Sequence, residues 1–457
     1  MHINKRYSHL LIVVASLLLA GADGFKCSKD DSDDSSSGSS GTRVEVTDEQ
    51  KISADSGGFD GNLDAGDEFG SAVADAGDLQ ANGVTDLAVG APYDDDGKDR
   101  GAVWVLFMDS NGEVNQEQKI SSDAGDFDGN LDDDDLFGSA LAAIDDLDGD
   151  GAPDLAVGAP GADDNGPDRG AVWILFLDSE GKVLQERKIA QDEGGFGGNL
   201  DDDDRFGSAV ATIGDVNGDG VPDLAVGAPN DDDGPDNAGA VWILFMNTDG
   251  TVSAWEKVSD KEGGFNGNLD AEDHFGAAVA GIGDLDNDGI PDLAVGAPGG
   301  DDNGPDRGEV WILFLDSEGK VRQEEKIADG EGGFGGSLAD DDSFGSAVAG
   351  VGDLNGDGIP DLGVGAPNDD DGAANAGAVW ILIMESDGRV DAWQKISDDA
   401  GDFSGDLEAD DRFGAAIAGI GNINSSGLAD IAVGAPGDDD GDTKQGAVWI
   451  LFMDTRN

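Results

Sequence analysis

Residues 137–160 read FGSALAAIDDLDGDGAPDLAVGAP, and this stretch decides the fold because close copies of it recur along the chain. The Phe-Gly pair that opens it returns at Phe69, Phe137, Phe206, Phe275, Phe344 and Phe413. Each copy is followed by a tryptophan, spaced 69 residues from the next, at Trp104, Trp173, Trp242, Trp311, Trp380 and Trp449. Six copies at one period indicate a single repeat architecture.

Each unit contains four segments with the composition of β-strands. In the second unit these are residues 137–144, 153–157, 171–177 and 183–189. The first is rich in Gly and Ala, which suits an innermost strand near an axis. The third, AVWILFL, is apolar on both faces, as expected for a strand with sheets packed on each side. Short strands at a fixed period predict radially repeated four-stranded sheets.

The two ends of the repeat region distinguish a closed ring from a solenoid, which needs atypical caps. The sixth unit ends after its third strand, and residues 44–52 match the fourth strand of the first unit, 114–120. The N-terminal strand can therefore complete the last blade and leave no open edge. We predict an all-β fold over residues 43–457, a six-bladed β-propeller of four-stranded antiparallel blades closed by the N-terminal strand.

The N-terminal residues have the pattern of an export signal. Lys5 and Arg6 precede an apolar stretch that ends in small residues, which predicts a secretory signal peptide over residues 1–22. The Ser- and Asp-rich residues 23–42 predict a disordered linker. We expect a secreted or cell-surface protein without a transmembrane segment. Lipid anchoring at Cys27 is less favoured, because Phe25 and Lys26 replace the small residue that a lipobox requires.

Composition excludes several classes of function. The chain has 100 Asp and Glu against 25 Lys and Arg, a net charge of −75, so nucleic acid and anionic membranes would be repelled. One Cys excludes a disulfide framework and a cysteine zinc site. His274 is the one His outside the N-terminal segment, which removes most His-based catalysis and metal binding.

The loop between the first and second strands of each unit contains the most specific candidate binding motif in the sequence. Residues 146–154 read DLDGDGAPD, with acidic side chains at positions 1, 3, 5 and 9 and Gly at position 6. A loop of this kind wraps oxygen ligands around a hard cation, with one more oxygen from the position 7 carbonyl, and an all-oxygen set favours calcium. The predicted ligands of about four structural calcium ions are Asp146, Asp148, Asp150, Ala152 and Asp154; Asp215, Asn217, Asp219, Val221 and Asp223; Asp284, Asp286, Asp288, Ile290 and Asp292; and Asp353, Asn355, Asp357, Ile359 and Asp361.

The first and sixth units depart from this pattern. The first keeps Asp78 and Asp86 with amides between them, and in the sixth Asp430 is the one carboxylate left, after Asn422, Asn424 and Ser426. Fewer charges predict weak calcium binding or none in these two units. The alternative for all the loops is that they are solvated acidic turns.

Phe-Gly, then Asp-x-Asp-x-Asp-Gly-x-x-Asp, then Gly-Ala-Pro resembles the FG-GAP repeat of integrin alpha-subunit β-propellers and their bacterial relatives, over residues 43–457. The resemblance implies an extracellular, calcium-loaded propeller used in adhesion or recognition. Integrin propellers have seven blades and shorter repeats, and some carry an inserted ligand-binding domain that this sequence lacks. No leg domains or transmembrane helix follow the repeats in this sequence, so integrin signalling is not expected.

Further acidic runs fall in the second and fourth loops of the units, which strand alternation places on the face opposite the calcium loops. They cover residues 94–96, 132–135, 201–204, 231–233, 340–342, 369–371 and 438–440. This face is either a platform for calcium, a cationic partner or calcium-bridged glycans, or a solvated surface.

The first functional hypothesis is a calcium-dependent adhesion, recognition or scaffolding module whose partner is an extracellular protein or glycan. The second is a multivalent lectin with sugar sites between blades, in which Trp255 and Trp393 could stack on sugars. A carboxylate-based glycan-active enzyme is less favoured, because near-identical blades offer no distinctive cleft. A polar pocket on the axis that breaks the repeat would favour the enzyme.

Overall fold

A computed structural model describes residues 43–94, 98–301, 304–425, 427–439 and 443–456. The expected signal peptide (1–22), the expected linker (23–42) with Cys27, and Ser426 lie outside the described residues. The ends of two acidic runs, 95–96 and 440, also lie outside them. Within the described ranges, no helix has the length and apolar character needed to cross a membrane.

The described residues form β-strands joined by turns. In chain order the strands are β1 (Arg43–Ile52), β2 (Ala72–Asp75), β3 (Leu87–Ala91), β4 (Ala102–Met108), β5 (Val114–Ile120), β6 (Ala140–Ile144), β7 (Asp154–Ala159), β8 (Ala171–Leu177), β9 (Val183–Ile189), β10 (Ala209–Gly214), β11 (Asp223–Ala228), β12 (Ala240–Met246), β13 (Val252–Ser259), β14 (Ala278–Gly283), β15 (Asp292–Ala297), β16 (Glu309–Leu315), β17 (Val321–Ile327), β18 (Ala347–Gly352), β19 (Asp361–Ala366), β20 (Ala378–Met384), β21 (Val390–Ile396), β22 (Ala416–Gly419), β23 (Ile431–Ala435) and β24 (Ala447–Arg456).

These strands form six four-stranded antiparallel sheets, the blades of the propeller. Five blades consist of four consecutive strands, and the sixth has the order β1-β24-β23-β22. The N-terminal strand therefore completes the last blade, with Ile52 opposite Val448. The prediction of a six-bladed propeller closed by the N-terminal strand is confirmed.

The blades are joined into a closed ring. The Phe of each Phe-Gly pair forms a parallel bridge to a glycine of the preceding blade, as Phe137 does to Gly101, and the bridge from Phe69 to Gly446 joins the first blade to the last. The innermost strands β2, β6, β10, β14, β18 and β22 contact one another in that order, and β22 contacts β2. These strands therefore surround the axis.

The hydrophobic core lies between adjacent blades. Third strands such as β8 are buried along their whole length because a neighbouring sheet packs on each face. One cluster joins Ile174 of the second blade to Val226 of the third. An aromatic trio recurs in the repeats. In one copy Phe127 packs against both Phe137 and Trp173, with ring centroids 5.2 Å apart in each pair. The recurring Phe and Trp are thus core residues.

Two recurring glycines mark the points where the backbones of adjacent blades touch. A Cβ on Gly90, from Gly-Ala-Pro, would lie 2.0 Å from the carbonyl oxygen of Gly138, from the next Phe-Gly pair. A Cβ on Gly138 would lie 2.5 Å from the Ala102 carbonyl, and its φ of +95° favours glycine. The close approach of the blades therefore requires both glycines.

The strand bounds differ from prediction at two places in the second unit. The first strand begins at Ala140 instead of residue 137, because Phe137 bridges to the preceding blade. The second covers Asp154–Ala159 instead of 153–157, which leaves out Pro153, a residue with no N–H for the ladder. The predicted third and fourth strands are confirmed.

Strand alternation places the loops on two faces. Arg322, just after the third loop of the fourth unit, forms an ion pair with Asp286 in the first loop, so these loops share a face. We call it the metal-loop face. Arg169 in the second loop of the second unit pairs with Asp202 in the fourth, and these loops form the opposite face.

Candidate metal centre

The four predicted calcium loops lie on the metal-loop face, between the first and second strands of blades two to five. In each, the position 1 Asp accepts a hydrogen bond from the backbone N–H of the position 6 glycine. The Gly–Asp distances are 2.9 Å for Gly151–Asp146 and 2.8 Å for Gly220–Asp215, Gly289–Asp284 and Gly358–Asp353. The glycines have φ between +90° and +101°, so the sharp reversal expected at position 6 is present.

The middle positions of the loops turn their side chains inward. In the second unit the Asp150 N–H donates to Asp148 Oδ1 at 3.0 Å, and the Ala152 N–H donates to Asp150 Oδ1 at 2.9 Å. The position 7 residues Val221, Ile290 and Ile359 donate in the same way to the position 5 Asp. The position 7 residues therefore lie in the loop as predicted, while the use of their carbonyls as ligands stays a prediction.

The position 9 aspartates are buried and have a second role that the sequence did not indicate. Asp154 is 2% exposed and accepts from the Leu147 N–H at 2.9 Å and from the Leu177 N–H, at the end of the third strand, at 3.3 Å. Asp223, Asp292 and Asp361 have the same two kinds of partner. This residue therefore fastens the loop to the third strand of its own blade.

The loops bring the predicted carboxylates together. Asp146, Asp148 and Asp154 each place an oxygen within 4.8 Å of the others, and Asp284, Asp286 and Asp292 do the same. The third and fifth units have Asn217 and Asn355 at position 3, so an amide oxygen replaces one carboxylate there. Convergent oxygens without nitrogen or sulfur are the donor set that calcium takes in proteins, and the residues present fit the ion.

Burial controls the ionisation of the position 9 carboxyls. It raises the pKa of Asp154 to about 7 and of Asp223, Asp292 and Asp361 to about 6, although backbone hydrogen bonds act in the other direction. The neighbouring acids of the loop raise these pKa values further. A cation in the loop would favour the ionised form, so metal binding at these positions would be coupled to proton release.

The first and sixth units, which depart from the acidic pattern, show that parts of the loop structure form without the full set of acidic side chains. In the first unit the Gly83 N–H donates to Asp78 at 2.7 Å and the Val84 N–H to Asn82 at 2.8 Å, so the loop keeps its winding with amides at positions 3 and 5. In the sixth, Asp430 still accepts from the Ile423 and Met453 N–H groups, each at 3.0 Å. The weaker calcium binding of both units stays a prediction.

The loop of the fourth unit has a cationic neighbour. Arg322 Nη2 lies 2.5 Å from Asp288 and 3.3 Å from Asp286, two predicted ligands. The equivalent position in the second unit is Leu184, whose side chain is 61% exposed. The sequence contains this difference between the repeats, but the calcium-loop prediction did not take it into account.

On the opposite face, several acidic side chains are buried and others are paired with lysines. The last Asp of each complete fourth-loop run is buried, as Asp204 is at 3% exposed, and accepts from an N–H three residues earlier. Lys257 pairs with Asp231 at 2.6 Å and lies over the Trp242 ring, 5.2 Å from its centroid. The same lysine–tryptophan stacking recurs in every blade, at Lys51, Lys119, Lys188, Lys257, Lys326 and Lys395. These lysines recur with the repeat, so the sequence held the signal that would have found them.

The two additional tryptophans belong to aromatic clusters at the outer strands. Trp255 packs edge-on against Trp242 at 5.2 Å and stays 39% exposed. Trp393 packs against Trp380 at 5.3 Å and joins the core between blades. Both therefore pack, and Trp255 also offers ring surface to solvent.

Comparison with known proteins identifies the repeat and its relatives. The family model described as FG-GAP repeat matches residues 137–175, 206–244, 275–313, 344–382 and 413–451. Human integrin alpha-7 is 34% identical over 214 residues, which are 46% of this chain and 15% of the relative. Integrin alpha-PS2 of Drosophila melanogaster is 38% identical over 168 residues, 35% of this chain and 11% of the relative. Chicken (Gallus gallus) integrin alpha-6 is 34% identical over 161 residues, 35% of this chain and 13% of the relative. The chain thus matches less than a fifth of the length of these relatives.

Proposed function

This chain is an FG-GAP repeat protein that resembles the β-propeller of integrin alpha subunits, and from that premise we propose that it is a secreted or cell-surface, calcium-binding recognition module used in adhesion or scaffolding. The observation that carries the proposal is the convergence of three carboxylates in the loops of the second and fourth units, together with the same loop winding in four successive blades. Its partner is an extracellular protein or glycan.

In this proposal calcium has a structural role. The side chains at positions 1, 3, 5 and 9 of the four loops hold the ion, and the position 7 carbonyls complete the set. Four ions offset about eight negative charges of a chain whose net charge is −75. They also fix the hairpins between first and second strands, so calcium binding contributes to the free energy of folding.

Two measurements test the proposal. Calorimetric titration of the chelator-treated chain should give about four calcium ions, and a stoichiometry of zero would contradict the calcium assignment. Binding of the labelled chain to an array of glycans and matrix proteins, with calcium and with chelator, tests recognition. We expect discrete signals that chelator abolishes. A folded, calcium-loaded chain that binds nothing on the array would contradict a role in adhesion. Scaffolding would then be the remaining form of the proposal.

The second candidate function is a multivalent lectin with sites between blades. The exposed part of the Trp255 ring supports it, because aromatic faces stack on sugar rings. Replacing Trp255 with Ala should then reduce glycan signals on the same array. An unchanged array profile would leave Trp255 as a packing residue.

A glycan-active enzyme is not part of the proposal. The structure does contain a polar cavity at the axis, the feature expected to favour an enzyme, and Glu68 is the one carboxylate among the described residues that line it. Acid–base hydrolysis of glycosides uses two carboxyl groups. The cavity therefore supports binding in preference to hydrolysis, and hydrolysis of an array glycan by the chain would contradict this.

Export is proposed from the N-terminal sequence. Cleavage after Ala22 would leave a chain beginning at Asp23. The intact mass of the protein recovered outside the cell tests this, and a mass that includes residues 1–22 would contradict it. An added acyl mass at Cys27 would instead indicate lipid anchoring.

A further inference from the structure

The repeats differ most clearly at one position, immediately before each Phe-Gly pair. The six residues there share a left-handed backbone, with φ from 53° to 58°, and are Glu68, Leu136, Arg205, His274, Ser343 and Arg412. This conformation is unfavourable for residues other than glycine, and it recurs in all six blades. The backbone conformation at this position is therefore the same in every blade, while the side chain that it carries varies.

This ring of residues surrounds one mouth of the propeller axis. Each member lies just ahead of an innermost strand, and those strands contact one another around the axis. A cavity of about 420 Å³ opens there, lined by residues of the fifth, sixth, first and second units, Glu68 and Arg412 among them. Its volume lies within the range of small-ligand pockets.

Two arginines of the ring lack ion pairs in a strongly acidic chain. Most Lys and Arg side chains in the described ranges pair with a carboxylate, as Arg169 does with Asp202 and Arg389 with Glu325. Arg205 and Arg412 are exposed and form no ion pair with the described residues. Acids outnumber bases four to one, yet neither guanidinium forms a direct ion pair with the described residues, although Asp168 lies within electrostatic reach of Arg205. Both can therefore donate to an anion at the mouth.

Tyr93 adds an aromatic surface to the cavity. The equivalent positions carry Gly or Asn, and the Tyr93 side chain is 40% exposed. Burial and then the Glu68 carboxylate raise the pKa of its hydroxyl, whereas the charges of Arg205 and Arg412 lower it. Both arginines therefore lie within electrostatic reach of the phenol. The negative charge of Glu68 is balanced by Lys444 at 3.3 Å.

The serines of the cavity are arranged as acceptors. Ser71, Ser139 and Ser346 each donate their hydroxyl hydrogen to the carbonyl three residues earlier, at 2.8 Å. Asn368 donates its amide to Ser343 Oγ at 3.0 Å. Each serine oxygen keeps lone pairs that can accept, so the wall suits a ligand that brings its own hydroxyl donors.

We propose that the axial cavity binds an acidic saccharide, with one carboxylate at Arg412, which lines the cavity, another at Arg205 on the opposite side of the ring, hydroxyl groups on the serine oxygens and a sugar ring against Tyr93. A hydroxyl-rich ring with an attached carboxylate matches all three features, whereas an acidic peptide supplies N–H donors for the serine oxygens but has no hydroxyl-bearing ring to lie against Tyr93. The inference rests on the proposed recognition function and assigns it one site and one ligand class.

Calorimetric titration of the full, calcium-loaded chain with a galacturonic acid trimer tests the proposal. We expect a single site per chain, about tenfold or more weaker in the Arg205→Gln/Arg412→Gln double variant, because each arginine contributes a charge-assisted hydrogen bond. The control is Arg187→Gln. Arg187 also lacks an ion pair with the described residues but lies on β9 at the periphery, bonded to the Glu186 carbonyl. It should bind the trimer as the parent does.

Four results would overturn the proposal. A neutral galactose trimer that binds equally well would show that the carboxylate is not recognised, and a tri-aspartate peptide that binds more tightly would assign the cavity to peptides. Trimer binding that the double variant retains would indicate calcium bridging to acidic loops. If the parent does not bind the trimer, the assignment of the ligand to the axial cavity fails. The recognition function still stands in that case if the double variant keeps its array signals.

Discussion

At the scale of single residues, the position 9 aspartate is the clearest example of a side chain with two tasks. Asp430 keeps the structural task in a unit whose other loop positions carry amides or lie outside the described residues. We expect Asp430→Ala to lower the free energy of unfolding by about 2–4 kcal/mol, because two buried N–H groups lose their acceptor. Denaturant unfolding should show the same loss with calcium and with chelator. A loss confined to calcium would mean that Asp430 acts as a ligand.

Arg322 is predicted to weaken calcium binding in the fourth unit. Its guanidinium pairs with Asp286 and Asp288, so a calcium ion must displace a cation that is already there. We expect Arg322→Gln to tighten one of the four sites about threefold to tenfold in calorimetric titration. The matched control is Leu184→Gln, at the equivalent position of the second unit, which should leave calcium affinity unchanged. Equal titrations of the parent and Arg322→Gln would contradict this.

The sequence predicted which residues enter the loops but not all that they do. The repeat placed Asp154 beside Asp146 and Asp148, since local spacing decides that geometry. The bond from the Leu177 N–H to Asp154 depends on the register of β7 against β8, which brings together residues 23 positions apart. A pattern read within one loop does not contain that register.

At the scale of elements, the loop between first and second strands behaves as a preformed turn. In the first unit it keeps its winding with amides in place of carboxylates, because glycine at position 6 and side chains that accept N–H groups are sufficient. The hairpin was therefore predictable from turn chemistry, whereas we expect calcium occupancy to depend on the number of carboxylates.

The loops should differ in their response to calcium. We expect Asp148→Ala/Asp150→Ala to remove about 2–3 kcal/mol of stabilisation at calcium one hundred times the dissociation constant, because one site is lost. In chelator the loss should be much smaller, since both side chains are exposed. Asn422→Ala/Asn424→Ala, in the sixth unit, is the control and should show no calcium-dependent change in thermal unfolding. If both double variants lose the same calcium-dependent stability, the distinction between intact and departing loops is wrong.

At the scale of the whole molecule, the period of the repeat predicted the ring, and the unequal ends predicted how it closes. Residues 44–52 resembled a fourth strand, and β1 pairs with β24 as that resemblance requires. The axial mouth was not predicted, because Arg205 and Arg412 are 207 residues apart and only the formation of the ring places both of them around one axis. The signal in the sequence that could have indicated this mouth was the variation, among otherwise matching repeats, of the residue before each Phe-Gly pair.

Buried acids on the opposite face should make the chelator-treated protein less stable as pH rises from 5 to 8. Burial raises the pKa of Asp135, Asp273 and Asp342 to about 6 and of Asp204 and Asp411 to about 7. The folded state thus holds protons that the unfolded state releases near pH 4, and that stability is lost as each folded pKa is passed. Asp204→Asn keeps an acceptor for the Asp201 N–H and should reduce the slope of stability against pH. Asp203→Asn, at an exposed neighbour, should not. Stability that is constant or rises from pH 5 to 8 would contradict the prediction.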